Sequence, residues 1–298
     1  MKKAFLQLHI SVFLAGFTGV LGKLIHLNEG WLVWYRLLIS AATMWVLFAI
    51  NGKLRRISRS DRLGLGAIGV VAALHWVSFY GSIKSANVSV ALVCFSAVGF
   101  FTALLEPLIL RVRIKWLEVL LGLMVMAGIS LIFHFDSRYK TGILMGTASA
   151  VFLAIVIIVI RQFVQRINPE TVLTYQLTGG LLGLTLILPV YLHWFPADKW
   201  LPDLEDLAWL LVLSWLCSVL AFQLSVASLK KLSAFTVNLS YNLEPVYGIA
   251  LAFLLYRENK DLSPWFFAGI GLIAGSLLVH ILLLLGAERR KKAGKGSA

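Results

Sequence analysis

The sequence predicts an all-α integral membrane protein with ten transmembrane helices, and three observations lead to that fold class. Hydrophobic residues make up 59% of the 298 residues and charged residues only 14%, about half the charged share of a soluble domain. The chain divides into ten apolar stretches, each close to the roughly 20 residues that cross a bilayer as a helix. Basic residues concentrate on alternate connections between these stretches. One soluble core of this size cannot hide so much apolar surface, so the composition excludes a soluble enzyme.

The ten predicted spans follow one another with short connections and leave no room for a soluble domain. They cover approximately 4–24, 30–51, 62–83, 87–110, 115–134, 140–162, 169–192, 205–229, 233–256 and 262–285. The seventh and the tenth begin at Asn168-Pro169 and Ser263-Pro264. A cap residue followed by proline is typical of a helix start.

The distribution of charge predicts the orientation. With the amino terminus in the cytoplasm, the inner segments hold 19 of the 27 Lys and Arg residues and the outer segments hold 7. The remaining one, Arg36, lies within the second span. This positive-inside pattern places both termini in the cytoplasm, and the short loops favour a bacterial inner membrane. The formal net charge of +13 therefore indicates topology, with affinity of the basic tail 288–298 for anionic membrane lipids, and not nucleic-acid binding.

An internal repeat divides the spans into two groups of five. Val12-Phe13-Leu14-Ala15 returns as Val151-Phe152-Leu153-Ala154, and Tyr35-Arg36 aligns with Tyr175-Gln176. Residues 83–88 align with 229–234, and the fifth and tenth spans both carry spaced glycines. We predict a first repeat at 1–136 and a second at 137–287, before the tail. Because five is odd, the second repeat enters from the opposite side, and inverted repeats of this kind support alternating access.

Motifs of the second half resemble a known family. Leu-Lys-Lys-Leu-Ser-Ala at 229–234 is followed by Leu243-Glu244-Pro245-Val246, then Arg257-Glu258, then a glycine-rich last helix. This order is similar to the EamA-like ten-helix transporters of the drug/metabolite transporter (DMT) superfamily, over nearly the whole chain. The resemblance implies a ten-helix bundle with both termini inside that exports or exchanges small metabolites. The first half departs from the pattern, with Gly99 in place of the proline and Val112 in place of the glutamate, which leaves open whether both halves contribute equally.

Glu244 is the sharpest candidate for a substrate-binding residue. It lies near the middle of the ninth span, where an ionisable side chain normally faces a cavity or a partner. Pro245 removes a helical hydrogen bond and clashes with the preceding turn, so it predicts a kink or hinge. Polar neighbours on the same or the adjacent face are Asn238, Tyr241, Asn242 and Tyr247. The alternative is a structural carboxylate bonded to a neighbouring helix.

Arg36 is the second candidate, and Ser40 continues its face one turn further along the second span. An unpaired arginine at this depth is unfavourable. We therefore expect a carboxylate beside it, from either Glu244 or a substrate. The alternative is an arginine that extends to the outer interface.

Further candidates are weaker. The aromatic-rich third span carries His75 and Trp76, which lie too deep for an interfacial belt, together with Tyr80. Tyr175 shares a face of the seventh span with Thr178 and Gly179. His75, Trp76, Tyr80 and Tyr175 are all predicted to line the substrate path. Lone polar residues of this kind also serve as hydrogen bonds between helices. Glu106 and Pro107 lie near the inner end of the fourth span, with Arg111 and Arg113 within reach, and predict an ion pair or a gate.

These residues predict a secondary transporter or facilitator of small organic metabolites, amino acids in particular, and the family resemblance implies export as the direction. Arg36 would bind a carboxylate and Glu244 an amine or a coupling proton. A lipid-linked sugar flippase or nucleotide-sugar exchanger of the same fold is the first alternative, and a membrane sensor or scaffold is the second. The absence of nucleotide-binding, metalloprotease and serine-hydrolase motifs argues against an enzyme, a cofactor or a metal. Small-residue spacing at Gly142/Gly146 and Gly271/Gly275 favours packing within the chain, with a homodimer seam as the alternative.

Overall fold

The computed structural model describes residues 2–135, 137–229, 231–232, 237, 240–241 and 243–295, and all regular structure within these ranges is helical. Seven helical segments of 22 to 27 residues in the described part are long and apolar enough to cross a membrane. Three shorter apolar helices accompany them, at Trp116–Ile132, Glu244–Tyr256 and Pro264–Ser276. The all-α architecture expected of an integral membrane protein is confirmed.

We number the helices of the described ranges in chain order. They are α1 (Lys2–Leu24), α2 (Glu29–Ile50), α3 (Arg59–Ser85), α4 (Val88–Phe95), α5 (Val98–Leu110), α6 (Trp116–Phe135), α7 (Lys140–Val164), α8 (Pro169–Trp194), α9 (Leu204–Ser214), α10 (Ala221–Leu229), α11 (Glu244–Tyr256) and α12 (Pro264–Lys295). A π-helical segment, Trp215–Leu220, joins α9 to α10. The helix starts predicted at Pro169 and Pro264 are both confirmed.

Side-chain caps fix several of these starts. Asn28, Ser58, Asn87 and Asp203 each accept a hydrogen bond from a backbone N–H in the first turn of the helix that follows. Such caps satisfy donors that a helix leaves free at its amino end. Eight of the predicted spans match the described helices to within about three residues at each end. The tenth was predicted to end at 285, whereas α12 continues to Lys295. Of the ninth, α11 and a few isolated residues before it are described.

Two helices are interrupted by the same turn. Between α4 and α5, the Ala97 N–H donates to the Cys94 carbonyl at 3.0 Å, a bond three residues back. Ahead of α11, the Leu243 N–H donates to the Ser240 carbonyl, also at 3.0 Å. A bond over three residues tightens the chain relative to the α-helix. The first turn ends α4 and begins α5, and the second directly precedes α11.

The helices after these turns also match. α5 and α11 are each 13 residues long. Each ends at an arginine in the left-handed conformation, Arg111 and Arg257, with φ of 54° in both, which is uncommon for a side chain other than glycine. Pro245 lies in the first turn of α11, where its missing N–H needs no partner. Gly99 has that place in α5, so the interruption of the first half forms without proline.

Helix packing places α1 and α7 in similar surroundings. α1 packs on α10 and α11, while α7 packs on α3 and α5, and α6 packs on α12. At the crossing of α1 and α11, a Cβ added to Gly16 would lie 2.8 Å from the Glu244 carbonyl oxygen and 3.0 Å from the Gly248 nitrogen. Two backbones therefore meet directly here, as small residues in membrane helices allow. This contact places the start of α11 beside the middle of α1.

Ion pairs join the ends of the helices. Arg166 approaches Asp61 at 2.6 Å, and the hydrogen bond from that pair raises the pKa of Arg166 above its ordinary value. In the connection before α9, the backbone N–H of Asp206 and then the ammonium of Lys199 lower the pKa of the Asp203 carboxyl. These groups stay charged at neutral pH, and the pair of Arg166 and Asp61 ties the connection after α7 to the start of α3.

Candidate functional site

Arg36 is held in the interior by side chains from two other elements. It is 5% exposed. Its Nη1 donates to the Tyr80 hydroxyl at 2.7 Å, and its Nε donates to Ser218 Oγ at 3.2 Å. The guanidinium carbon lies 4.6 Å from the centroid of the Trp76 ring, within the range of a cation–π contact. α3 and the π-helical segment therefore orient Arg36, which excludes an arginine extended to the outer interface.

The π-helical segment is what brings Ser218 to Arg36. Ser218 Oγ also donates to the Leu213 carbonyl five residues back, at 3.3 Å. A π turn changes which side chains face inward, and such turns are frequent at functional sites. The sequence shows Ser218 only as a lone polar residue on an apolar helix, and nothing in its pattern marks the π turn.

Tyr80 depends on a glycine of α1. Its side chain is fully buried, and a Cβ added to Gly22 would overlap the Tyr80 ring. Gly22 therefore leaves the space in which the phenol stands beside Arg36. Trp76 and Tyr80, which were both predicted to line the substrate path, thus lie together beside Arg36.

Glu244 is the first residue of α11 and is half-buried. Arg36 bonds to Tyr80 and Ser218, and the described contacts include no ion pair between Arg36 and Glu244. Among the residues that the structure describes, Glu244 has no hydrogen-bond partner for its carboxylate. The amino end of α11 favours a negative charge at this position. A carboxylate so placed retains its full capacity to bind a proton or a cationic group.

The face of α11 that carries Glu244 is turned toward α1. The Tyr241 hydroxyl lies 2.8 Å from Ser11 Oγ, and the Tyr247 hydroxyl lies 3.3 Å from His9 Nδ1. Both tyrosines remain partly exposed. Ser11 and His9 were not singled out from the sequence, since polar residues on α1 gave no pattern. The predicted residues Asn238 and Asn242 lie outside the described residues.

Three further residues that were predicted to bind substrate make other contacts in the structure. His75 Nδ1 lies 2.8 Å from Ser149 Oγ on α7 and is buried, which is the geometry of a bond between helices. Tyr175 packs edge-on against Trp45, with ring centroids 5.3 Å apart. Ser40 is buried one turn from Arg36, and its hydroxyl has no hydrogen-bond partner among the described residues.

Glu106 forms an ion pair, with a partner that differs from the expected ones. Arg161 Nη1 of α7 lies 2.9 Å from Glu106 Oε1, whereas Arg111 and Arg113 were expected. α5 continues through Pro107 without interruption. A cavity of about 240 Å³ adjoins the pair, lined by Ala103, Glu106, Pro107, Val112, Arg113, Lys115, Glu118 and Arg161.

A second cavity lies where α2, α8 and α10 end or begin. Its volume is about 140 Å³, and its lining residues are Phe48, Lys53, Glu170, Phe222, Gln223, Val226 and Ala227. Lys53 and Glu170 face each other there at 3.6 Å. For metals, a search of the described ranges finds no group of three or more His, Cys, Asp or Glu side chains that could hold an ion.

Comparison with known proteins identifies relatives. A family model described as the EamA-like transporter family matches residues 2–134 and 140–288. A Synechocystis protein called uncharacterized transporter sll1164 is 22% identical over 244 residues, which are 77% of this chain and 68% of that protein. A solved structure, described only as a crystal structure of a protein, superposes with a TM-score of 0.62 and 17% identity. That alignment covers 94% of this chain and 98% of the other. At this identity the likeness shows the fold alone.

Proposed function

The chain belongs to the EamA-like transporter family, and we propose that it exports small organic metabolites, amino acids in particular, by alternating access. The family makes it a membrane protein that transports small molecules. The direction, the substrate class and the mechanism are our proposal. It is supported by one observation above all: Arg36 and Glu244, a basic and an acidic residue of predicted spans, are not paired with each other among the described contacts.

The proposed topology has ten crossings of the bacterial inner membrane with both termini in the cytoplasm. It comprises inverted repeats at 1–136 and 137–287, followed by the basic tail. The matching turns at Ala97 and Leu243 and the left-handed Arg111 and Arg257 support the two repeats. So does the packing, since α1 contacts α11 as α7 contacts α5. Inverted repeats related in this way exchange inner and outer access around a midplane site.

The unpaired charges favour a zwitterionic substrate. Charged groups in a membrane interior are stable only when they are paired and hydrogen-bonded. Tyr80, Ser218 and Trp76 hold the guanidinium of Arg36 in place and leave its second terminal nitrogen without a bond among the described residues. That nitrogen is suited to a substrate carboxylate. Glu244 then binds the substrate amine, or carries a coupling proton in its place.

The alternatives make different demands on the same residues. A nucleotide-sugar exchanger or a flippase for lipid-linked sugars requires several basic groups for phosphate, and Arg36 is the one basic residue that the sequence places well inside a span. A sensor or scaffold has no need of either charge. A homodimer is a further proposal. Gly142 and Gly146 pack against Ala86 and Cys94 of the same chain, but no described atom comes within 4 Å of a Cβ added at Gly271 or Gly275.

Transport from proteoliposomes tests the proposal. Vesicles are loaded with labelled amino acids, and their release is followed with and without a proton gradient. We expect Glu244→Gln and Arg36→Ala each to abolish release while the variants elute and unfold as the parent does. Glu205→Gln, at an exposed outer carboxylate, is the control and should release normally. Full transport by both site variants would show that these residues do not form the site.

A further inference from the structure

Glu258 is buried and bound by four donors, although it follows α11 in a connection. It is 2% exposed. Its Oε1 accepts from Lys23 Nζ at 2.9 Å and from the Val88 N–H at 3.2 Å. Its Oε2 accepts from the Ser89 N–H at 2.9 Å and from Ser89 Oγ at 2.7 Å. Charge-assisted bonds in such number make this carboxylate one of the most firmly held in the described part of the chain.

The four donors come from the other half of the chain. Lys23 ends α1, while Val88 and Ser89 begin α4, whose amino end attracts a negative charge. Leu92, one turn further along α4, is 1% exposed and packs between Gly19 of α1 and Gly248 of α11. Glu258 therefore ties together α1, α4 and the end of α11 at the side that the positive-inside pattern assigns to the exterior.

The corresponding contact in the first repeat is weaker. When the two repeats are aligned, Val112 corresponds to Glu258, so no carboxylate directly follows α5. The ion pair of Glu106 and Arg161 joins α5 to α7 instead, as Glu258 and Lys23 join α11 to α1. The Arg161 side chain is 64% exposed, and a single exposed ion pair adds little to the stability of the closed arrangement. The two corresponding contacts, one at each end, thus differ in strength.

We propose that Glu258 is the latch of the outer gate. It holds the outer end closed in the state seen here, and it must release Lys23, Val88 and Ser89 before the outer end opens. This inference rests on the proposed alternating access. It also gives the Arg257-Glu258 motif a function that neither substrate binding nor topology assigns to it.

Labelling of a buried cysteine tests the latch. Leu92→Cys is introduced with Cys94→Ala and Cys217→Ala, and a membrane-impermeant maleimide is added from outside to right-side-out vesicles. We expect Glu258→Gln to raise the labelling rate by about tenfold or more, because bonds to a charged group are the strongest of their kind. Lys23→Gln and Ser89→Ala should raise it by less. Lys260→Gln, which removes an exposed charge two residues away, is the control and should label as the parent does.

The outcomes separate the latch from a simple helix cap. A folded Glu258→Gln variant that labels at the parent rate would overturn the proposal and leave Glu258 as a cap of α4. If that variant does not fold, Lys23→Gln and Ser89→Ala decide in the same way. The labelling needs no substrate. An unchanged labelling rate in Glu258→Gln therefore rejects the latch. Transport that survives Glu244→Gln and Arg36→Ala rejects the proposed site instead.

Discussion

At the scale of single residues, the hydroxyl of Tyr80 sets the position of Arg36. Tyr80→Phe keeps the buried ring beside Gly22 and removes the 2.7 Å bond to Nη1. A bond to a charged group contributes about 1.5–3 kcal/mol. Since about 1.4 kcal/mol is a factor of ten, we expect the KM for the amino acid to rise about tenfold or more, with the maximal rate changed less.

The matched control is Tyr175→Phe, at a ring that packs on Trp45 away from Arg36. We expect its KM to equal that of the parent. Uptake kinetics in proteoliposomes measure both variants. Equal KM values for Tyr80→Phe and the parent would mean that Arg36 does not contact the substrate or does not need this anchor.

Sequence reasoning predicted part of this site. An arginine and a carboxylate inside spans are conspicuous, so Arg36 and Glu244 could be proposed from the sequence, as could Trp76 from its depth; their role in binding stays a prediction. Ser218 was not assigned to the site, because a π turn leaves no trace in a hydropathy pattern. The bonds of Glu258 were also missed, since they join residues about 170 positions apart in the chain, and such pairing arises from tertiary packing alone.

At the scale of helices, the contact of Gly16 with α11 admits no side chain. A Cβ at Gly16 would meet backbone atoms of Glu244 and Gly248, at 2.8 and 3.0 Å, and backbone cannot move aside as a side chain can. Overpacking of this kind costs about 1–3 kcal/mol. We expect Gly16→Ala to lower the unfolding temperature in detergent and to reduce transport, because the start of α11 is displaced.

Gly271→Ala is the natural comparison, since a Cβ there has no described atom within 4 Å. It should unfold and transport as the parent does. Thermal unfolding followed by fluorescence measures both. A Gly16→Ala variant as stable as the parent would show that α1 and α11 are not in close contact in the membrane.

Helix positions were predictable where hydropathy and caps agree, as at Asn168-Pro169 and Ser263-Pro264. The interruptions were predictable only in part. Pro245 predicts a break in the ninth span, and the described helix α11 begins beside it. The turn at Ala97 has no proline and forms through the same local bond in an apolar run. Glycine at position 99 permits that turn without dictating it, so composition alone does not reveal it.

At the scale of the whole molecule, alternating access predicts that the two ends respond in opposite directions. Ala227 lines the cavity of about 140 Å³ between α2, α8 and α10, on the side that the positive-inside pattern assigns to the cytoplasm. Ala227→Cys therefore reports on the inner end and Leu92→Cys on the outer end. Weakening one closure shifts the population toward the state in which that end is open and the other is shut.

In the Glu258→Gln background, we expect the cysteine of Leu92→Cys to be labelled faster from outside. The cysteine of Ala227→Cys should be labelled more slowly in inside-out vesicles. Arg161→Gln, which breaks the pair with Glu106, should do the reverse and by a smaller factor, because an exposed pair holds the inner end less firmly. If the labelling rates of the two cysteines change in opposite directions, one equilibrium between an outward-open and an inward-open conformation explains both changes. If both reporters label faster in Glu258→Gln, the variant has loosened locally. The two repeats would then not act as one switch, even if transport itself is intact.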